Sequence, residues 1–231
     1  MKISGIIKTT LIDYPGHIAT SIFTQGCNFK CPYCHNPGLI PAEGGNEEHM
    51  ALDYFWDFLE ERKDFLDGVA ITGGEPTLQS DLIEFIEKIK MRDFKVKLDT
   101  NGSRPEIIKR LIDDELVDYI AMDIKSSIKK YSDYSDDSSI GDKIIQSVNF
   151  IKKSEIDYEF RTTVVPTLHN ENDIKEIAEI VSVVDKFTLQ NFREERTYNK
   201  DYESKLPFTE NELQIFKDIL KGNVNNIKIK N

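Results

Sequence analysis

The chain has 231 residues, a formal net charge of −11 and a hydrophobic content of 39%. This composition indicates a globular protein of one domain, residues 1–231, and excludes a disordered chain. The acidic balance argues against nucleic acid or an anionic membrane as a partner, because their phosphates would repel it. No apolar run reaches the about 20 residues that span a bilayer. The N-terminal segment lacks the pattern of a secretory signal, so we expect a cytoplasmic protein.

Apolar patterning predicts strands and helices that alternate along the chain. The predicted strands are 19–24, 69–72, 96–99, 119–123, 158–165 and 187–189. The predicted helices cover 52–62, 82–89, a segment after Ser103, 144–151, 174–181 and a segment after Thr209. Ser103 with Glu106 and Thr209 with Glu212 have the spacing of capping boxes. We expect the polar segment 126–139 to be a solvated loop and His169 to lie in a surface turn.

Six βα units predict an α/β fold with a parallel sheet and right-handed crossovers. Six units are too few for a closed eight-fold barrel, so a partial (β/α)6 barrel is the preferred architecture, with a doubly wound sheet as the alternative. We expect a core over about 15–192, followed by a C-terminal helix and tail over 193–231. In either architecture, the active site should lie at the C-terminal ends of the strands.

The three cysteines of the chain, Cys27, Cys31 and Cys34, lie within eight residues. An odd and clustered set favours a metal site in a reducing compartment over a disulfide framework. Three thiolates on one loop can hold three corners of a 4Fe–4S cluster, which normally takes four cysteines. The fourth iron would then be open, as in catalytic metal sites. The alternative is a structural zinc site with His35 as the fourth ligand.

Two motifs carry a family resemblance. The C-x3-C-x2-C spacing, with Tyr33 before the last cysteine, resembles the signature of the radical S-adenosylmethionine superfamily. The Gly73-Gly74-Glu75-Pro76 run resembles the second motif of that superfamily. The resemblance implies that the fold is the partial barrel of this superfamily.

The flanking sequence, from about residue 5 to about residue 190, resembles activating enzymes of glycyl radical enzymes. It is similar above all to the anaerobic ribonucleoside-triphosphate reductase activating proteins, with pyruvate formate-lyase activating enzyme as a near relative. The runs that carry this similarity are Asp13-Tyr14-Pro15-Gly16, Phe23-Thr24-Gln25-Gly26, Tyr33-Cys34-His35-Asn36, Asp99-Thr100-Asn101-Gly102 and Asp123-Ile124-Lys125.

The resemblance implies a radical mechanism. The open iron binds the amino and carboxylate groups of S-adenosylmethionine, and a low-potential electron from a flavodoxin or ferredoxin breaks the bond between sulfur and C5′. The resulting 5′-deoxyadenosyl radical abstracts a hydrogen from a glycine Cα of the glycyl radical enzyme that is the partner. Cys27, Cys31 and Cys34 would be the cluster ligands.

The resemblance also implies contacts to the cofactor, each with a simpler alternative. Tyr33 would face the adenine or only pack the loop, and His35 would be structural or offer a backbone contact. Gly73 and Gly74 would let the backbone approach the ligand, and the Glu75 carboxylate would accept a hydrogen bond from the ammonium group.

Further predicted contacts lie on the later strands. Asp99 and Asn101 would reach the ribose or a monovalent cation near Asp99 and Asp123, although Asn101-Gly102 alone is typical of a turn. Asp123 and Lys125, two apart on one strand, would contact the ribose and carboxylate or form only a salt bridge. Arg161 would bind the carboxylate or form a buried ion pair.

Two positions depart from the pyruvate formate-lyase activating enzymes. Tyr14 stands where those relatives have glycine, and Leu189-Gln190-Asn191-Phe192 replaces a run of proline, an aromatic residue and histidine. The role of that histidine is therefore either absent from this chain or supplied by Gln190. The substrate of this chain could also be another peptide or a small molecule.

Overall fold

The computed structural model describes residues 1–41 and 49–231. Eight strands and six α-helices alternate over most of this length. The strands are β1 (Ile3–Thr10), β2 (Ala19–Thr24), β3 (Gly68–Gly73), β4 (Lys95–Thr100), β5 (Tyr119–Asp123), β6 (Asp157–Val164), β7 (Val184–Asn191) and β8 (Val224–Lys230). The helices are α1 (Leu52–Glu61), α2 (Leu82–Lys90), α3 (Pro105–Asp113), α4 (Ile140–Lys153), α5 (Glu171–Val181) and α6 (Glu210–Leu220).

All eight strands form one sheet, and their order in the sheet follows their order in the chain. β2 to β8 are parallel, whereas β1 is antiparallel to β2. A doubly wound sheet reverses its strand order at a switch point, and no reversal occurs here. Right-handed crossovers in one direction place the helices on one face of the sheet. The structure therefore confirms the predicted α/β fold, with β2 to β7 as its six βα units.

Two edge strands extend the sheet beyond the predicted six. β1 buries only its two end residues, Ile3 and Thr10, and contains Gly5, so its apolar pattern is short. β8, with the sequence VNNIKIK, exposes most of its residues and carries lysines that suit an unpaired edge. Both strands therefore lack the continuous apolar run by which the inner strands were predicted. The predicted tail after residue 192 includes one of these strands.

The two predicted capping boxes have different outcomes. The Thr209 hydroxyl and the Glu212 carboxylate cap the start of α6 as predicted. The box at Ser103 was wrong, because α3 begins at Pro105 and has no side-chain cap. The Ser103 hydroxyl instead accepts a hydrogen bond from Asn28 Nδ2 at 2.9 Å, and Glu106 pairs with Arg104.

Two predictions of solvated segments were also wrong. The segment 126–139 contains a 3₁₀ helix, Ile128–Asp133, and buries the rings of Tyr131 and Tyr134 against the cysteine loop. His169 is 4% exposed, and its two ring nitrogens bond to Val165 N and Lys125 O at 3.0 and 2.9 Å. Neither burial was predicted, because both segments are mostly polar in sequence. In the first segment the buried groups are two aromatic rings, and in the second they are the hydrogen-bonded ring nitrogens of His169.

Within the part of the chain that the structure describes, none of the helices combines the length and apolarity needed to cross a bilayer.

Candidate active site

A cavity of ≈ 290 Å³ lies at the C-terminal ends of the parallel strands. Every predicted site residue except Glu75 lines it. These residues are Cys27, Cys31, Tyr33, Cys34, His35, Gly73, Gly74, Asp99, Asn101, Asp123, Lys125, Arg161 and Gln190. The topology brings them together because parallel strands end at one edge of the sheet.

The cysteine loop follows β2 and is held from two sides. Gly26 N and Cys27 N donate to the carbonyl oxygens of Leu39 and Ile40 at 2.8 and 3.0 Å. On the other side, Lys30 N donates to Tyr134 O at 2.9 Å. Backbone hydrogen bonds therefore hold the loop from both sides.

Burial favours the protonated form of the three thiols. It raises the pKa of Cys27 to about 11 and that of Cys31 to about 12, and it also raises the pKa of Cys34. The nearby Lys125 ammonium partly opposes these shifts. Such thiols are poor free nucleophiles. Metal binding would deprotonate them, as cluster ligation requires.

The side chain of His35 makes its contacts with residues outside the cysteine loop. Its Nδ1 lies 2.8 Å from the carbonyl oxygen of Glu195, and its ring stacks on Phe192. Because a carbonyl oxygen only accepts, Nδ1 must carry the hydrogen. These contacts support the structural alternative for His35. Across residues 1–41 and 49–231, no three histidine, cysteine or acidic side chains form a ready-made site for a single metal ion.

The glycine pair after β3 packs against the backbone that leads into the cysteine loop. A Cβ on Gly73, whose φ is +114°, would lie 2.3 Å from Thr24 N, and one on Gly74 would lie 2.1 Å from Gly26 O. Gly74 N and Glu75 N donate to Thr24 O and Gly26 O. Because Gly73 and Gly74 have no side chains, their backbone can pack closely against Thr24 and Gly26. The two glycines also line the cavity.

Glu75 is fully buried behind the cavity wall, which corrects the predicted contact with the cofactor. Its carboxylate accepts hydrogen bonds from the hydroxyls of Thr77 and Thr100 and from the backbone N–H groups of Thr77 and Asn101. Burial raises the pKa of Glu75, although these donors favour its charged form. Glu75 therefore fastens the end of β3 to the end of β4.

Charged side chains on β4, β5 and β6 form one network at the cavity with Lys125, which lies just beyond the end of β5 and not on that strand as predicted. Arg161 Nε and Nη2 each lie 3.2 Å from an oxygen of Asp123, and Arg161 Nη1 lies 3.6 Å from Asp99. Lys125 Nζ lies 3.5 Å from Asp123, and Lys97 pairs with Asp99. Despite burial, which raises them, the Arg161 and lysine charges hold the pKa values of Asp99 and Asp123 below their usual range. The ion pairs predicted for Asp123, Lys125 and Arg161 are therefore present, and these three residues also line the cavity, whereas Lys97 does not.

Three polar side chains complete the wall. Asn101 Nδ2 donates to Asn28 Oδ1 at 3.0 Å and lies 4.0 Å from Cys27 Sγ, while Asn101 Oδ1 accepts from Ser103 N in a turn. The Tyr33 ring packs edge-on against Tyr134, and its buried hydroxyl has no hydrogen-bond partner among residues 1–41 and 49–231. Gln190 Oε1 accepts from Thr163 Oγ1 at 3.1 Å.

Sequence reasoning missed Thr163 and Lys97. Thr163 lines the cavity two positions after Arg161, on the same face of β6. Lys97 lies behind Asp99 with only 2% of its surface exposed. The signal for both was the period of two along a strand that already carried a predicted site residue.

Residues 21–183 match the family model of the radical SAM superfamily. The chain is 39% identical over 236 residues to a Methanocaldococcus jannaschii protein named "Putative glycyl-radical enzyme activating enzyme MJ1227". That match covers 99% of this chain and 95% of the relative. The pyruvate formate-lyase-activating enzyme of Listeria monocytogenes is 31% identical over 197 residues, which are 79% of this chain and 77% of that enzyme.

Solved structures share the fold at lower identity. TYW1 with a bound lysine-pyruvate adduct superposes with a TM-score of 0.64 at 16% identity, covering 89% of this chain and 74% of that one. The protein anSMEcpe with bound AdoMet gives a TM-score of 0.60 at 17% identity, covering 88% of this chain and 61% of that one. The chain therefore belongs to the radical SAM superfamily and, within it, to the glycyl-radical-enzyme activating enzymes, a class that uses a 4Fe–4S cluster and S-adenosylmethionine.

Proposed function

We propose that this enzyme installs a glycyl radical on anaerobic ribonucleoside-triphosphate reductase, with reduced flavodoxin or ferredoxin as the electron donor. The observation that carries the activase function is the 39% identity over nearly the whole chain to a relative of that description. The choice of the reductase as partner rests on the sequence runs around the cysteine motif. We further propose that residues 1–231 act as one domain in the cytoplasm, where reducing conditions keep the cysteines free.

The donor set of the cavity fits an iron–sulfur cluster with one open iron. In this proposal, Cys27, Cys31 and Cys34 hold the cluster, and their protons leave when it binds. When bound, the cluster and S-adenosylmethionine supply one-electron chemistry that yields a carbon radical. The backbone hydrogen bonds of the loop hold the thiols at the cavity, and Asn101 Nδ2 beside Cys27 Sγ helps to tune the cluster potential.

The remaining side chains fit the polar groups of S-adenosylmethionine. Arg161 and Lys125 carry two positive charges at the cavity and would bind its carboxylate. Tyr33, with its unpartnered hydroxyl, would contact the adenine, and Asp99 or Asn101 would reach the ribose. Gly73, Gly74 and His35 would offer backbone contacts, and Gln190 would stand at the substrate side. A monovalent cation near Asp99 and Asp123 remains a prediction.

The test uses the anaerobically reconstituted enzyme with S-adenosylmethionine, a reductant and a candidate partner. We expect a glycyl radical doublet in electron paramagnetic resonance with anaerobic ribonucleoside-triphosphate reductase, and a weaker one or none with pyruvate formate-lyase. A doublet only with the lyase would overturn the assignment of the partner. Cleavage of S-adenosylmethionine without a doublet on either enzyme would overturn the activase function.

A second candidate is a radical reaction on another peptide or a small molecule. A smaller cavity of ≈ 200 Å³ adjoins the first and shares His35, Thr163 and Gln190 with it. Arg193 and Lys230 add positive charge there. Because the sequence around Gln190 departs from that of the pyruvate formate-lyase activating enzymes, we propose that the substrate contacts at this edge differ from theirs.

A further inference from the structure

Lys97 is a buried cation that the predicted cofactor contacts do not use. It lies on β4 two positions before Asp99, so both side chains point to the same face of the sheet. Its ammonium pairs with Asp99 and lies 5.8 Å from the ring centroid of Tyr119. Lys95, two positions earlier on the same strand, is exposed. A buried lysine is costly unless its charge is compensated, so the pairing with Asp99 is the main reason that the ammonium can lie there.

The charges around Arg161 indicate what Lys97 does. Arg161 forms a forked pair with Asp123 and also approaches Asp99 at 3.6 Å. One layer below, Glu159 adds a third carboxylate near Arg161 and accepts a hydrogen bond from Thr188. Without Lys97, the cations of Arg161 and Lys125 would face three carboxylates. Asp99 would then draw the guanidinium toward itself and away from the cavity.

We propose that Lys97 is a built-in counter-cation for Asp99, so that this site needs no soluble monovalent cation. By pairing with Asp99, Lys97 brings the network of charged side chains to charge balance, so that Arg161 and Lys125 stay free to turn toward the carboxylate of S-adenosylmethionine. Lys97 is thus a positioning residue that acts through Asp99 and Arg161. The inference rests on the proposed binding of the S-adenosylmethionine carboxylate by Arg161, and it replaces the predicted soluble cation near Asp99 and Asp123.

The first test measures S-adenosylmethionine binding by equilibrium dialysis in buffers with K⁺, Na⁺ or tetramethylammonium as the only monovalent cation. We expect the reconstituted wild type to bind equally in all three. Lys97→Ala should bind at least about tenfold more weakly in tetramethylammonium, which is about 1.4 kcal/mol. Added ethylammonium or K⁺, which fits the space left beside Asp99, should restore its affinity. Lys95→Ala, which removes an exposed lysine from the same strand, should behave as the wild type.

The second test follows thermal unfolding without S-adenosylmethionine. Ethylammonium should raise the unfolding temperature of Lys97→Ala and leave that of the wild type and Lys95→Ala unchanged. A wild type whose binding requires K⁺ or Na⁺ would overturn the proposal even if Lys97→Ala does not fold. A Lys97→Ala protein that binds normally and ignores every cation would do the same. A wild type that binds no S-adenosylmethionine would instead overturn the proposed function, and the unfolding test would still decide the role of Lys97.

Discussion

At the scale of single residues, buried polar groups behind the cavity hold the strand ends that carry its lining. His169 is one example. Its Nδ1 accepts from Val165 N, so Nε2 carries the hydrogen and donates to Lys125 O. The neutral ring thus links the end of β6 to the backbone of a residue that lines the cavity.

This pairing predicts a pH dependence of stability. Burial lowers the pKa of His169 below its ordinary value, although its two hydrogen bonds and Asp173 oppose the shift. His169 therefore binds a proton near pH 6.5 in the unfolded chain but stays neutral at that pH in the folded protein. The free energy of unfolding keeps the full contribution of this group above about pH 6.5 and loses it as the pH falls below that value. We expect the free energy of unfolding in urea to fall between about pH 7.5 and about pH 5.5.

The matched variant is His169→Gln, which has no proton to take up in this range. It should be less stable at neutral pH by about 1–3 kcal/mol, because buried backbone groups lose a partner. Its stability should then change less with pH than that of the wild type. Equal slopes in the two proteins would contradict a neutral His169 in the folded state.

At the scale of elements, the turn after β3 and the cysteine loop after β2 form one unit. Their backbones exchange hydrogen bonds at Thr24 and Gly26, and Glu75 ties the same turn to β4. The geometry of the cysteines therefore depends on the turn that follows a different strand. This dependence explains why the two motifs belong together although about 40 residues separate them.

Gly74→Ala tests this unit. Its Cβ would lie 2.1 Å from Gly26 O, so we expect a loss of about 1–3 kcal/mol in the free energy of unfolding and a lower iron content after reconstitution. Gly38→Ala is the control, because nothing lies within 4 Å of its added Cβ, and it should stay within about 0.5 kcal/mol of the wild type. Equal behaviour of the two variants would contradict the close packing.

The capping box of α6 supports a second prediction at this scale. The Thr209 hydroxyl and Glu212 carboxylate satisfy two free N–H groups at the start of the helix. Thr209→Ala should therefore lower the free energy of unfolding by about 1 kcal/mol, whereas Thr209→Ser, which keeps the hydroxyl, should lower it much less. Urea unfolding of both variants provides the comparison, and equal losses would argue against the cap.

The sequence was sufficient to predict the elements and site residues that are marked by a pattern of neighbouring residues. β5 has the predicted bounds, and the cysteine motif and strand-end polar residues do meet at one cavity. Features that arise from tertiary contacts could not be predicted from the sequence. β1 and β8 become strands by pairing with the sheet edges, and Tyr131 becomes buried by packing near the cysteine loop. Glu75 was predicted in the cavity because a motif gives position along the chain but not the direction of a side chain.

At the scale of the whole molecule, the sequential order of the strands explains where the chemistry lies. Each parallel strand from β2 to β7 ends at the same edge, and each contributes at least one residue to the cavity or to the loop beside it. Buried apolar residues from both the sheet and the helices form one large core cluster beneath that edge. The cavity is therefore a rigidly supported site, as radical chemistry at a fixed position requires.

The most direct test of the account asks whether three cysteines leave one iron open. Anaerobically reconstituted protein should contain four irons, and Mössbauer spectroscopy should show one iron that changes when S-adenosylmethionine is added. Each of Cys27→Ala, Cys31→Ala and Cys34→Ala should lose the cluster. A colourless protein with one zinc per chain, or four irons that ignore S-adenosylmethionine, would contradict the account.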